Sequence, residues 1–171
     1  IITGSEDMTA RLWTTGSPAA VRQLTGHSGP VRSAAVSPDG TIIVTGSEDT
    51  TARVWDAHTL ALRFTLSGHT DTVTSVAVSP DSRHILTGSY DKTDRVTSAA
   101  FSPNSKLIVT GSADNTAQVW DALTGKSLHT LIGHSAAVSS VAFSSDNATI
   151  ATGSADKTVR LWDAATGQFV R

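Results

Sequence analysis

A twelve-residue phrase, TGSEDTTARVWD at residues 45–56, constrains the fold of this chain more than any other feature, because close copies of it recur along the sequence. The copies begin at Thr3 (TGSEDMTARLWT), Thr87 (TGSYDKTDRVTS), Thr110 (TGSADNTAQVWD) and Thr152 (TGSADKTVRLWD), so the Thr-Gly-Ser positions step by 42, 42, 23 and 42 residues. A fixed period of this length marks solenoids and propellers, in which each unit buries its apolar faces against its neighbours. One interval is 19 residues short, and the copy that opens it loses the pattern halfway.

Within one period the order of signals is constant. From Gly26 the best-preserved unit reads GHSGPVRSAAV, the turn SPDG, TIIVTGS, the turn EDT, TARVWD, a Thr-containing turn and LALRFTL, which leads into Gly68-His69. Short runs rich in Val, Ile, Thr and Leu, each bounded by turn chemistry, predict four strands per unit. Proline presets φ at the second position of the Ser-Pro-Asp-Gly turn, and Asp or Asn suits the third. The connections are too short for crossover helices, so consecutive strands should pair antiparallel. The second strands, such as TIIVTG and KLIVTG, are apolar at successive positions, which fits a small sheet covered on both faces by neighbouring sheets.

Gly-His stands at 26–27, 68–69 and 133–134, near the start of a unit, and Trp-Asp at 55–56, 120–121 and 162–163, near the end of its third strand, with Trp13-Thr14 a near match. Co-occurrence of the two dipeptides at one phase of a 42-residue period resembles the WD40 repeat, and the resemblance covers essentially the whole chain. It implies an all-β fold, a WD40 β-propeller or part of one, with four-stranded antiparallel blades and about four to five of them in this chain. The implied division of residues 1–171 is a partial blade 1–25, a blade 26–67, an interrupted blade 68–93, a blade lacking its Gly-His 94–132 and a blade 133–171.

The shortened interval lies where Tyr90-Asp91-Lys92-Thr93 runs directly into Asp94-Arg95-Val96-Thr97, which matches the start of a first strand. The 19 missing residues correspond to a third strand, a fourth strand and the next Gly-His. Their expected place is in a parent chain, with a true deletion as the alternative, and both ends of the junction should lie on one face of a blade. Such a blade has two strands and an exposed edge. The opening on Ile1-Ile2, in mid-phrase, also suggests a fragment or a processed product.

Composition narrows function. With 13 Lys+Arg against 15 Asp+Glu and no run of like charge, nothing points to nucleic acid or an anionic membrane surface. No stretch approaches the roughly 20 apolar residues of a membrane-spanning helix. Absence of cysteine excludes disulfides and thiolate zinc sites and suits a cytoplasmic setting.

Each unit places His, Ser or Thr, Asp and Trp in register, which invites a hydrolase triad. Repetition argues otherwise, because an enzyme needs one such site. In WD40 proteins these residues form a structural tetrad that ties the third strand, the second strand and the inter-blade loop together. The resemblance implies tetrad positions His27, Thr45 or Ser47, Asp49 and Trp55 for the best-preserved unit. Equivalent positions are Asp7 and Trp13; His69 and Asp91; Asp114 and Trp120; and His134, Thr152 or Ser154, Asp156 and Trp162. His27, His69 and His134 should be spread over different blades and not converge on a metal, while His58, His84 and His129 read as surface residues. There is no phosphate-binding Gly-x-x-x-x-Gly-Lys loop, and neither a cofactor nor a metal is expected.

What remains is a binding surface. WD40 partners commonly dock on the face that carries the loops before the first strand and between the second and third. Positions implied to point there are Glu6, Glu48 and Tyr90, with Ala113 and Ala155 equivalent to them; Arg32, Thr74, Thr97 and Ser139; and Pro30, Thr72 and Arg95. Tyr90, Arg32 and Arg95 have the chemistry that interface hot spots favour. The expected function is a non-catalytic scaffold for a protein or peptide partner. The alternatives are a self-assembling unit that completes its ring with another copy, or a regulatory module of a larger signalling protein.

Overall fold

The computed structural model describes residues 1–14, 17–91 and 95–171, with backbone alone at 14 and 17–21. The junction between Thr93 and Asp94 lies outside the described residues. Five antiparallel sheets follow one another along the chain. The first holds β1 (Ile2–Gly4), β2 (Ala10–Thr14) and β3 (Ser17–Leu24); the second β4 (Val31–Val36), β5 (Ile42–Ser47), β6 (Ala52–Asp56) and β7 (Leu62–Leu66). Among the described residues the third has β8 (Val73–Val78) and β9 (Ile85–Ser89) alone. The fourth holds β10 (Val96–Phe101), β11 (Leu107–Ser112), β12 (Thr116–Asp121) and β13 (Ser127–Ile132), and the fifth β14 (Val138–Phe143), β15 (Thr149–Ser154) and β16 (Val159–Asp163). In the fifth sheet a single bridge from Trp162 to Phe169 stands where a fourth strand would begin.

Turn chemistry fixes these meanders. Ser37 Oγ donates to Asp39 Oδ1 at 2.6 Å and accepts the Ile42 N–H at 3.0 Å, while the Gly40 N–H closes the turn on the Ser37 carbonyl at 2.8 Å. Gly40 is left-handed at φ 70°, and Ser82, Ser105 and Asn147 take the same conformation at the same place in their repeats. The Asp of Trp-Asp holds the next turn: Asp56 Oδ1 accepts the His58 and Thr59 N–H groups, Asp121 those of Leu123 and Thr124, and Asp163 those of Ala165 and Thr166.

β1, which carries the Thr-Gly of a second strand, lies against β4 as β5 lies against β8, and the first strands β4, β8, β10 and β14 lie side by side in that order. A serine on each receives a backbone N–H from the next: Val76 to Ser33 Oγ at 3.1 Å, Ala99 to Ser75 Oγ at 3.0 Å and Val141 to Ser98 Oγ at 3.3 Å. The glycine of Thr-Gly-Ser lets the neighbour approach. A methyl on Gly46 would stand 2.8 Å from Val73 Cγ1, one on Gly88 2.6 Å from Val96 Cγ1 and one on Gly111 2.8 Å from Val138 Cγ1. This close approach is the physical reason the motif needs glycine.

Burial follows the stacking. Ala10, Leu24, Val31, Ile43 and Trp55 join the first two sheets, Val44, Ala52, Val54, Val73 and Val76 the second and third, and Val109, Val119, Leu131, Val138, Ile150 and Trp162 the last two. Among the described residues no comparable cluster joins the third sheet to the fourth, because the strands that would supply it are missing. The effect reaches the second sheet. Leu24, Leu66 and Leu131 pair with Ala10, Ala52 and Ala117 at one register position of their sheets. Leu24 is 3% exposed and Leu131 1%, but Leu66 is 37% exposed and its neighbour Phe64 63%. They face the side where the third sheet stops at its second strand.

Candidate functional site

The hydrogen-bonded sets come first, because they look most like chemistry. In the second sheet the Trp55 indole N–H donates to Thr45 Oγ1 at 2.9 Å, His27 Nε2 lies 2.8 Å from the same oxygen, and His27 Nδ1 lies 2.7 Å from Asp49 Oδ2. Indole can only donate and a carboxylate can only accept, so one direction satisfies every group. Trp55 donates to Thr45, the Thr45 hydroxyl donates to Nε2, and the Nδ1–H of a neutral imidazole donates to Asp49. Asp49 also accepts from Thr51 Oγ1 at 2.6 Å and from the Ser28 N–H at 3.0 Å. Burial pushes its carboxyl up, but those bonds from Thr51, His27 and Ser28 outweigh it and hold the pKa at about 2. Burial is also the leading cause that lowers His27, against the raising effect of Asp49. Both shifts favour a fixed neutral-imidazole chain.

The fifth sheet repeats the arrangement with Trp162 to Thr152 at 2.9 Å, His134 Nε2 to Thr152 at 2.8 Å and His134 Nδ1 to Asp156 at 2.8 Å. Elsewhere the set is partial. The third sheet keeps His69 Nδ1 to Asp91 at 2.6 Å and Nε2 to Thr87 at 2.9 Å, without a tryptophan. The fourth keeps Trp120 to Thr110 at 3.0 Å and Asp114 to Thr116 Oγ1 at 2.7 Å, without a histidine. The first has Trp13 to Thr3 at 2.9 Å and Asp7 to Thr9 Oγ1 at 2.5 Å.

Ser47 and Ser154 stand outside these chains, which corrects their place beside Thr45 and Thr152. Ser47 Oγ donates to the Gly29 carbonyl at 2.9 Å and accepts the Asp49 N–H at 3.1 Å; Ser154 does the same with Ala136 and Asp156. Two residues along a strand from threonine, serine points to the loop and pins the Gly-His segment by its backbone. In the second and fifth sheets the sets are buried and saturated by internal partners, and there they tie the strands and the Gly-His loop together.

The exposed positions converge differently. In each of four sheets the residue before the motif Asp donates its N–H to the carbonyl of the residue before the first-strand Val: Glu48 to Pro30 at 3.0 Å, Tyr90 to Thr72 at 3.1 Å, Ala113 to Arg95 at 2.9 Å and Ala155 to Ala137 at 2.9 Å. Two loops of each sheet are thereby held on one face. Arg32 spans two sheets, its Nε 2.6 Å from Glu48 Oε1 and its Nη1 3.4 Å from Glu6 Oε1. The Arg95 guanidinium lies 4.2 Å from the Tyr90 ring centroid, a cation–π contact. Between these groups a recess of about 400 Å³ is lined by Arg32, Glu48, Thr72, Thr74, Tyr90 and Thr97.

Some expected positions serve other ends. Thr74 Oγ1 donates to the Gly88 and Val96 carbonyls at 3.1 and 2.5 Å, Thr97 Oγ1 to those of Gly111 and Val138, and Ser139 Oγ to Gly153 at 3.3 Å. These hydroxyls are engaged by the backbone, so Thr74 and Thr97 join sheets while lining the recess, and Ser139 is outside it. Pro30 contributes its carbonyl to the Glu48 tie. The inter-sheet serines Ser33, Ser75 and Ser98 went unread in the sequence, although serine stands at one phase of VRSAAV, VTSVAV and VTSAAF.

The family model for the WD domain, G-beta repeat, matches residues 19–56, 61–96, 92–121 and 125–163. The chain belongs to the WD40-repeat family. Its sheets are the blades of a partial β-propeller. No curated protein sequence matches the chain. WD40 repeats generally act as non-catalytic scaffolds that bind proteins or peptides.

Proposed function

We propose that this chain is a non-catalytic scaffold that docks a protein or peptide at the recess between Arg32, Glu48 and Tyr90. The observation that carries this reading is the convergence of variable side chains of three blades on that recess, Arg32 and Glu48 exposed and Tyr90 half-buried, while the repeated residues are consumed internally. Tyr90 supplies a rigid amphipathic surface, and Arg32 and Glu48 supply paired charges for a polar rim. A cytoplasmic setting belongs to the same proposal and rests on a chain without cysteine.

Tyr90→Ala should weaken the partner about tenfold or more while leaving the melting temperature within about 2 °C, since Tyr90 is half-buried and outside the apolar clusters of the core. Quantitative capture with wild-type and variant chains, alongside thermal melts, measures both. An unchanged set of captured proteins would place the docking surface elsewhere.

A second reading is self-assembly. On the last blade Gly153 meets only Ser140, at 3.8 Å, and Val159 is 69% exposed, so this blade presents the kind of face that neighbours cover elsewhere. Light scattering across a dilution series separates the readings, because an obligate dimer would favour assembly.

A further inference from the structure

We infer that the gap in the third blade is a binding slot for a β-hairpin supplied in trans by another protein, one with the chemistry of a WD40 third and fourth strand. Three separate features bear on the inference, and none belongs to the recess proposed above.

The first is the edge. Among the described residues β9 pairs only with β8, so its outer backbone groups face the position that β6 and β12 fill beside β5 and β11. An edge of this kind accepts an added strand through main-chain hydrogen bonds.

The second is a pocket shaped for tryptophan. In the intact blades the Gly of Gly-His is covered: a side chain on Gly26 would meet Arg53 and Trp55, and one on Gly133 would meet Arg160 and Trp162. Among the described residues nothing lies within 4 Å of the same point on Gly68. The space is a recess of about 220 Å³ lined by Leu66, Ser67, Gly68, His69 and Thr87. Thr45 and Thr152 each bond both a histidine and an indole, donating to the first and accepting from the second, whereas Thr87 is bonded to His69 and takes no indole from the described residues. On the same side Leu66 and Phe64 lack the cover that Leu24 and Leu131 receive.

The third is the place of the next Gly-His. A cavity of about 350 Å³ lies between the third and fourth blades, and Thr110, Asp114, Gln118 and Trp120 form its far wall. These are the groups that meet Gly-His in the second and fifth blades. One ligand therefore fits all three features: an extended strand with tryptophan directed at Thr87, a return strand, and a terminal Gly-His beside Trp120. The chain itself contains that chemistry in residues 52–70, ARVWDAHTLALRFTLSGHT, which span the length that the short interval lacks. A second copy could offer it only by unravelling one of its own blades, so a separate partner is the occupant that the geometry favours.

The probe is a fluorescein-labelled synthetic peptide of residues 52–70, titrated into the full chain by fluorescence anisotropy. Expected are saturable binding absent from a scrambled peptide, slower hydrogen exchange at the amides of Ile85–Ser89, and binding weakened about tenfold when the peptide carries Trp55→Phe, which loses one buried hydrogen bond. Binding no better than the scrambled peptide would overturn the inference. So would binding that leaves the β9 amides unprotected, or a dimer of the chain that the peptide dissociates, which would give the slot to a second copy. Tyr90→Ala should leave peptide binding unchanged, so failure here and failure of the proposed docking recess are distinguishable.

Discussion

For single residues, the deciding property is whether a polar group has a partner after burial. Thr45 sits between a donor that cannot accept and an imidazole that accepts from it, so its hydroxyl is the hinge of the chain. Thr45→Val should cost about 1–3 kcal/mol or more, because it leaves the Trp55 N–H and His27 Nε2 buried without their partner. Trp55→Phe should cost about 1–3 kcal/mol; melts of both variants that match the wild type would show that the chain of bonds does not hold the blade. The same groups set a pH dependence. His27 lies below its ordinary 6.5 in the folded chain, so the unfolded chain binds more protons there, and stability falls as pH drops from about 6.5. Asp49, held to about 2 against 3.8, adds a further loss as pH falls through that interval. Melting temperatures recorded from pH 7 to 3 should show both limbs, and His27→Gln should flatten the upper one.

Among the elements, each blade is a meander whose turns are specified locally but whose faces are specified by its neighbours. Glycine in Thr-Gly-Ser is the clearest case. In Gly111 a methyl would press on Val138 of the next blade, whereas in Gly153 it would meet only Ser140, so one motif position carries two different constraints. Gly111→Ala should cost about 1–3 kcal/mol through overpacking, and Gly153→Ala should stay within about 0.5 kcal/mol of wild type. Chemical denaturation of the two variants measures the difference, and equal effects would show that the blade-to-blade approach is not what demands glycine. The sequence displayed the repeated glycine plainly, but a repeated letter does not say which atom stands opposite. Ser47 makes the same point: its spacing from Asp49 matched a tetrad hydroxyl, but it shares a strand face with Thr45 and stands two residues nearer the loop, which puts it on the Gly29 carbonyl.

Taken whole, the partial propeller is a series of junctions of unequal strength. Three junctions have buried apolar clusters, and the one between the third and fourth blades is held among the described residues by Ala99 to Ser75, by Thr74 to Val96 and by Val96 against Gly88. Inserting a second copy of residues 52–70 between Thr93 and Asp94 restores the 42-residue step. It should cover Leu66 and Phe64, slow exchange at β9 and raise the melting temperature by about 2–4 °C for each kcal/mol gained. An unchanged melt with unchanged exchange would show that the gap does not accept the strands it lacks. The period, the strand order, the turn residues and the location of the interruption are all legible in the letters, because each is set by chemistry within about one repeat length. Which hydroxyl enters the tetrad, which exposed residues share a recess and which apolar side chains stay uncovered emerge only from the folded arrangement. Those outcomes depend on what the neighbouring blade places opposite, and the letters of one unit show that a face is covered without showing which atoms cover it.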